Sequence, residues 1–178
     1  NQGLGFSTIK TIEAWINPDS CNAGVHTIYG AKANTFFCEH NRIGFQKESG
    51  WRTVYGTSDT VPNNTWNHVA VVLDTTGSVH LYLNGVLQNS KSGYGTINQE
   101  ASLCVGRRCG HSDVNWFNGE MDEVRLWSVP RTPQEIMATK NLSLSGYSID
   151  GLNAVYSMDN VSGTTLVNGT GDSSRDGT

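Results

Sequence analysis

Trp66-Asn67-His68-Val69-Ala70-Val71-Val72-Leu73-Asp74-Thr75-Thr76-Gly77-Ser78-Val79-His80-Leu81-Tyr82-Leu83-Asn84-Gly85-Val86-Leu87-Gln88 reads as three β-rich runs joined by two turns. Asn84-Gly85 suits a type I′ turn, whose two central residues both need φ > 0. The stretch is therefore an antiparallel meander. In 79–83 the odd positions are aliphatic and the even ones amphipathic, so one face packs while the other can meet water. Positions 69–73 are apolar without alternation, which predicts a strand covered on both faces.

The remaining composition agrees with strands laid around this hairpin. The chain has 178 residues, enough for one domain with a single core, with 20 glycines and only 16% charged residues. That is an all-β profile. A formal net charge of -4 with no run of Lys or Arg gives no footprint for nucleic acid and no attraction to an anionic membrane. No stretch approaches the roughly 18 apolar residues of a membrane span, and no signal peptide precedes Asn1.

Cys21, Cys38, Cys104 and Cys109 allow three pairings, of which nearness favours Cys21 with Cys38 and Cys104 with Cys109. None is spaced Cys-x-x-Cys. Asn63, Asn141, Asn160 and Asn168 each open a sequon for N-glycosylation. Cysteines and sequons together point to an extracellular or cell-surface setting.

Along the chain, strands are expected over 8–17, 25–30, 35–40, 42–46, 52–55, 101–106 and 119–127, with a turn at 48–50 and loops at 57–64 and 91–99. One helix is expected, over 133 to about 140. Thr132 is its N-cap, Pro133 its first residue and Glu135 the third, a capping box with proline where the missing N–H costs nothing.

Thr11-Ile12-Glu13-Ala14-Trp15-Ile16, the Trp66-Asn67-His68-Val69-Ala70 entry with Leu81-Tyr82-Leu83-Asn84-Gly85, and Phe117-Asn118-Gly119-Glu120-Met121-Asp122-Glu123-Val124-Arg125-Leu126-Trp127 with Arg131-Thr132 resemble, in order and spacing, successive signatures of laminin-G-like, concanavalin A-like jelly rolls. The resemblance implies two antiparallel sheets of six or seven strands packed face to face, one face concave. It also implies that Trp15, Trp66 and Trp127 are core. The stretch 152–160 with 162–166 and 172–178 resembles the segment with which many bacterial members of the family open. The body then spans 1–145, and 146–178 is a strand-bearing tail. That tail either returns to its own sandwich or completes the exposed edge of a neighbour.

The fold hosts lectins, receptor ectodomains, pentraxins, glycanases and structural repeats, so function must be read from a site. Glycan cleavage needs two carboxylates on one face, about 5 to 9 Å apart, and the related glucanases carry Glu-x-Asp-x-x-Glu. No such pattern occurs here: Glu13 stands alone and Asp122 and Glu123 are adjacent, so the chain reads as a non-enzyme. His68, in phase with Ala70 and Val72, reads as a hydrogen-bonded core residue, and His80 as outward-facing. Modules of this fold frequently hold structural Ca²⁺ with oxygen ligands. Asp122, Asp159, Asn160 and Asp172 are the candidates, with Asp19 and Asp113 behind them. Sugar recognition needs aromatic faces with polar groups beside them. Trp51, Arg52, Tyr55, Tyr94 and Trp116 are the candidates, Trp116 with Arg107 and Arg108 shortly before it. The expected role is a non-catalytic adhesive or structural module, a repeat or subunit of a surface or filament protein assembled by strand complementation. Neighbouring copies or tandem domains would be its partners through 146–178. The alternative is a calcium-assisted carbohydrate-binding module attached to a polysaccharide-degrading enzyme.

Overall fold

The computed structural model describes residues 9–22, 24–31, 33–47, 52–57, 60–95, 103–110, 115–159, 161–162 and 165–177. The turn at 48–50, Trp51, Asp113 and Asn160 lie outside the described residues. The strands, in chain order, are β1 (Thr11–Pro18), β2 (His26–Ala31), β3 (Asn34–Glu39), β4 (Arg42–Lys47), β5 (Arg52–Tyr55), β6 (Asn67–Leu73), β7 (Val79–Leu83), β8 (Val86–Lys91), β9 (Leu103–Val105), β10 (Gly119–Trp127), β11 (Leu152–Tyr156), β12 (Val161–Ser162) and β13 (Thr165–Leu166). The single α-helix, α1 (Pro133–Thr139), follows β10, and a 3-10 turn (Ser173–Arg175) closes the tail. No helix among the described residues is long and apolar enough to cross a membrane.

Two antiparallel sheets face each other. One runs β11-β10-β1-β6-β7-β8 and the other β5-β4-β3-β2-β9. This is the expected jelly-roll sandwich, with six strands against five. Between the sheets lie Ile12, Ala14, Ile16, Val69, Val71, Leu73, Leu81 and Leu126 from the first and Tyr29, Phe36, Ile43, Phe45 and Val54 from the second. The Asn84-Gly85 turn has both φ positive, at 52° and 83°, as the dipeptide predicts. β6 is buried at every position. Its unalternated run is explained by a second, smaller cluster on its outer side, where Ala70, Val72 and Tyr82 pack against Ile136 of α1. The capping box holds α1: Thr132 accepts from the Glu135 amide while the Glu135 carboxylate accepts from the Thr132 amide.

Beneath that helix the outer face of the six-stranded sheet carries charge out of water. Glu13 is fully buried, and its Oε1 accepts from the Trp127 indole at 2.7 Å and lies 3.5 Å from Arg131 and 3.8 Å from Arg125. His68 Nε2 is 3.4 Å from the other carboxylate oxygen. Glu13, which the sequence shows standing alone, is thus the centre of a cluster assembled from β1, β6, β10 and the segment after β10. Both guanidiniums also tie down the helical segment: Arg131 donates to the Glu135 carbonyl at 2.8 Å, and Arg125 donates to Thr139 and Leu142. Burial alone would raise the Glu13 pKa, but His68, Arg125 and Arg131 outweigh it and hold the carboxyl below its usual value.

Two expectations about aromatics divide here. Trp127 is buried, with Arg131 stacked 3.8 Å over its ring. Trp66 is not core: it is 43% exposed, because it precedes the first residue of β6 that pairs with β1. Trp15 is half-buried, donating to the Lys140 carbonyl at 2.6 Å.

The tail returns to its own sandwich. β11 pairs antiparallel with β10, and its outer edge is taken up in turn by the residues that follow: Gly169 donates to the Val155 carbonyl at 2.7 Å, and the Val155 amide donates to Asn168 Oδ1 at 3.0 Å. Of the two paths expected for the tail, the structure shows the one within its own sandwich: the strand is paired and its free edge is filled by the same chain. The same fold encloses the sequon residue Asn168. That side chain is only 2% exposed, and its Nδ2 donates to Thr170 Oγ1 at 2.7 Å and to the Asp172 carbonyl at 3.1 Å, so the nitrogen a glycan would need is enclosed. Asn63 and Asn141 are exposed.

Removing one member of a buried charge cluster leaves the others uncompensated. Glu13→Gln is expected to destabilise the fold by about 3 to 5 kcal/mol in urea titrations; a loss at the level of an exposed ion pair contradicts the cluster. Because the Glu13 pKa is lowered from 4.5, its contribution is complete above that value and disappears as pH falls through the folded pKa below it. The variant should lose that part of its acid sensitivity. Expression in a glycosylating host should leave Asn168 unmodified by peptide mass spectrometry even where Asn141 carries a glycan; a glycan on Asn168 contradicts the enclosed geometry.

Candidate functional site

On the other sheet's outer face the side chains alternate with the inward rows; Thr27, Thr35 and Phe37 are buried there, and Gln46, Thr53 and Tyr55 are half-buried. Register gives two cross-strand rows there. One is Tyr55, Gly44, Phe37 and Thr27; the other is Thr53, Gln46, Thr35, Gly30 and Cys104. The neighbouring rows, Val54 with Phe45, Phe36 and Tyr29, point inward. Gly44 thins the face: a Cβ there would lie 2.6 Å from the Phe37 ring, which occupies that space and meets Tyr55 edge-on at 5.7 Å.

At the β5 side a polar cluster forms around the Tyr55 ring. β3 and β4 are joined by His40-Asn41 with both φ positive, a two-residue turn that sets Glu39 opposite Arg42. The Tyr55 hydroxyl donates to Glu39 at 2.6 Å, and the Arg42 guanidinium lies 5.3 Å from the Tyr55 ring centroid. Burial first, then the hydrogen bond and charge of Glu39, push the Tyr55 pKa up to about 12.

At the β9 side the wall is a loop. Cys104 and Cys109 are bonded, closing five residues, and Cys21 with Cys38 forms the second disulfide, both as nearness suggests. The loop folds back over Gly30, where a Cβ would meet the Arg107 carbonyl at 2.5 Å and Arg108 Cα at 2.6 Å, so only glycine allows this approach. Thr27 of the first row donates its amide to the Asn115 carbonyl, which brings the next residue, Trp116, to the end of that row. Trp116 is 54% exposed, and Arg107 lies 5.3 Å from its ring centroid. Tyr55 and Trp116, two of the aromatics proposed from sequence, therefore flank one face, separated by four strand spacings, roughly 19 Å.

The other candidates fall elsewhere. Tyr94 is not a surface aromatic: it is 2% exposed and packs against Phe45 in the core. Arg52 is on the inward-row register of β5 and binds the Gly93 carbonyl, bracing a loop rather than facing outward. Asp172 caps the 3-10 turn and pairs with Arg175 at 3.0 Å. Asp122 accepts from the Glu123 amide; burial raises its pKa, with Glu123 and Asp159 adding to the rise. Among the described residues no group of three His, Cys, Asp or Glu is assembled that could hold a metal. Phe37, Glu39 and Arg42 were not singled out from sequence, though the alternation across the His40-Asn41 turn carries them.

Asp74, His80 and Ser90 line up, with His80 Nε2 2.9 Å from Asp74 and Nδ1 against Ser90 Oγ. The arrangement serves the turn. Asp74 already accepts from Thr76 and Ser78 amides, and the Ser90 amide, which an oxyanion would need, donates to Asn89 at 2.8 Å.

A laminin-G profile described as the Concanavalin A-like lectin/glucanases superfamily matches residues 2–137. The chain belongs to that superfamily. No curated protein matches it. Among solved structures, a Bacteroides ovatus protein described as carbohydrate-binding is similar at TM-score 0.77 and 23% identity, over 93% of this chain and 50% of that one. Domain 4 of AbnA, a GH43 extracellular arabinanase from Geobacillus stearothermophilus, in complex with arabinotriose, is similar at TM-score 0.61 and 22% identity, over 74% of this chain and 66% of that one. The Ruminococcus gnavus IT-sialidase CBM40, bound to α2,3-sialyllactose, matches at TM-score 0.59 and 15% identity, over 73% and 81%. At these identities the likeness is one of fold. The chain spans half the length of the first of these proteins and about two thirds of the second.

Because the Tyr55 pKa is raised toward 12, its neutral form belongs to the fold, and its contribution is complete below the usual value of 10 and fades as pH climbs above it. The 295 nm difference between wild type and Tyr55→Phe should therefore appear only above about pH 11. A difference centred near pH 10 contradicts the Glu39 contact.

Proposed function

We propose that this chain is a non-catalytic carbohydrate-binding module that takes an extended glycan across the outer face of the five-stranded sheet, between Tyr55 and Trp116. The observation that carries the reading is Trp116, an indole left 54% exposed on a segment tied in place on both sides, where the Thr27 amide donates to the Asn115 carbonyl and the Phe117 amide to the Gly106 carbonyl. A large aromatic fixed in place but not buried is what a pyranose face stacks on, at little ordering cost. Tyr55, with Glu39 and Arg42 around it, offers a second ring with polar groups in its plane and above it. On the opposite sheet α1 packs over Ala70, Val72 and Tyr82.

Similar folds support the reading. The neighbouring structures include a carbohydrate-binding protein and two glycan complexes. Two disulfides support an oxidising, extracellular setting. The adhesive filament reading has less behind it, because its donor strand is paired at home.

Glycan-array and calorimetric binding with Trp116→Ala and Tyr55→Ala tests the proposal. Each variant should lose roughly tenfold or more in affinity while melting where wild type does, about 1.4 kcal/mol or more of binding energy. Unchanged affinity in Trp116→Ala removes this face as the site.

A further inference from the structure

Resting on that reading, we infer that the Trp116 end of the face selects a sugar bearing a carboxylate, with Arg107 as the group that receives it. The chain carries more acidic than basic residues, 16 against 12. An arginine with no carboxylate partner among the described residues is therefore not a by-product of excess positive charge.

Each other arginine beside the face is committed. Arg42 stands opposite Glu39 across the β3–β4 turn and over the Tyr55 ring that Glu39 binds. Arg108, adjacent in the loop, turns its Nε and Nη2 atoms out of solvent. Arg52 binds the Gly93 carbonyl. Arg107 differs: it is exposed, and its guanidinium has no carboxylate within ion-pair distance among the described residues. Its recorded side-chain neighbour is the indole of Trp116, 5.3 Å away at the centroid.

That pairing has a chemical consequence. A guanidinium beside an aromatic ring keeps its planar fork of N–H donors open at the edge while the ring restricts its rotamers. A sugar stacked on the exposed part of Trp116 would bring its exocyclic position to the rim of the ring, where the fork stands. A carboxylate there can accept two parallel N–H bonds, which a hydroxymethyl group cannot. The loop backbone is held by the Cys104–Cys109 bond and by the contact over Gly30, so the fork is positioned before the ligand arrives. The ligand class is thus an acidic glycan, a polyuronate or a chain ending in a sialic acid, and not a neutral one.

The test pairs each acid with its own methyl ester, which changes charge and little else. Oligogalacturonate, a mannuronate–guluronate oligomer and α2,3-sialyllactose, each with its ester, are titrated calorimetrically into wild type, Arg107→Gln, Arg107→Lys and Trp116→Ala at low and at high salt. At low salt at least one acid should bind about tenfold tighter than its ester, a margin that shrinks as salt rises. Arg107→Gln should abolish the margin while leaving the ester's affinity and the melting temperature in place. Arg107→Lys should restore part of it, since it returns the charge without the fork. Trp116→Ala should weaken acid and ester alike. Equal binding of every acid and its ester in wild type overturns the inference, as does an acid preference that survives Arg107→Gln. Neutral sugars that bind through Trp116 with no acid preference remove this inference and leave the glycan site standing. Failure of every acid, ester and neutral oligosaccharide removes both.

Discussion

A carboxylate sealed from water beneath α1 governs the rest of this molecule. Glu13 can stay charged there only because an indole, two guanidiniums and an imidazole converge on it from β1, β6, β10 and the segment that follows β10. Those same guanidiniums reach past it to helix carbonyls and fasten α1 across the sheet. One broad face of the sandwich is thereby closed. On the other sheet the Phe37 ring fills the space a Cβ at Gly44 would need, a disulfide-closed loop folds over Gly30, and Trp116 stands exposed beside Arg107 of that loop.

Much of the fold was legible because local chemistry and global pattern agree. Asn84-Gly85 permits one kind of turn, Thr132-Pro133-x-Glu135 begins a helix, and the unalternated 69–73 run needs cover on both sides, which Ile136 supplies. The family resemblance was carried by such residues, and the fold confirms it. The disulfides followed from nearness because each closes a short stretch within or beside one sheet.

What sequence could not show depends on contacts between distant residues. Glu13 looks isolated because its partners lie 55 or more positions away. Tyr94 looks like a surface aromatic because its loop is polar, yet the ring packs on Phe45 and the chain around it is braced by Lys47 and Arg52. Asn168 meets every local requirement of a sequon, but its amide is the hydrogen-bonded centre of the tail. The sequence leaves the tail two paths, its own sandwich or a neighbour's edge, and only the structure shows Asn168 and Gly169 filling the outer edge of β11. Trp116 was legible as unexplained, while its place across the sheet from Tyr55 required the register of four strands.

The most direct measurement is a map of backbone amide shifts on adding a bound oligosaccharide. The account predicts that the largest changes run across β5, β4, β3 and β2 to the loop holding Arg107 and Trp116, leaving α1 and β11 undisturbed. Changes centred on α1, on β11 or on the Asp74–Ser78 turn would contradict it.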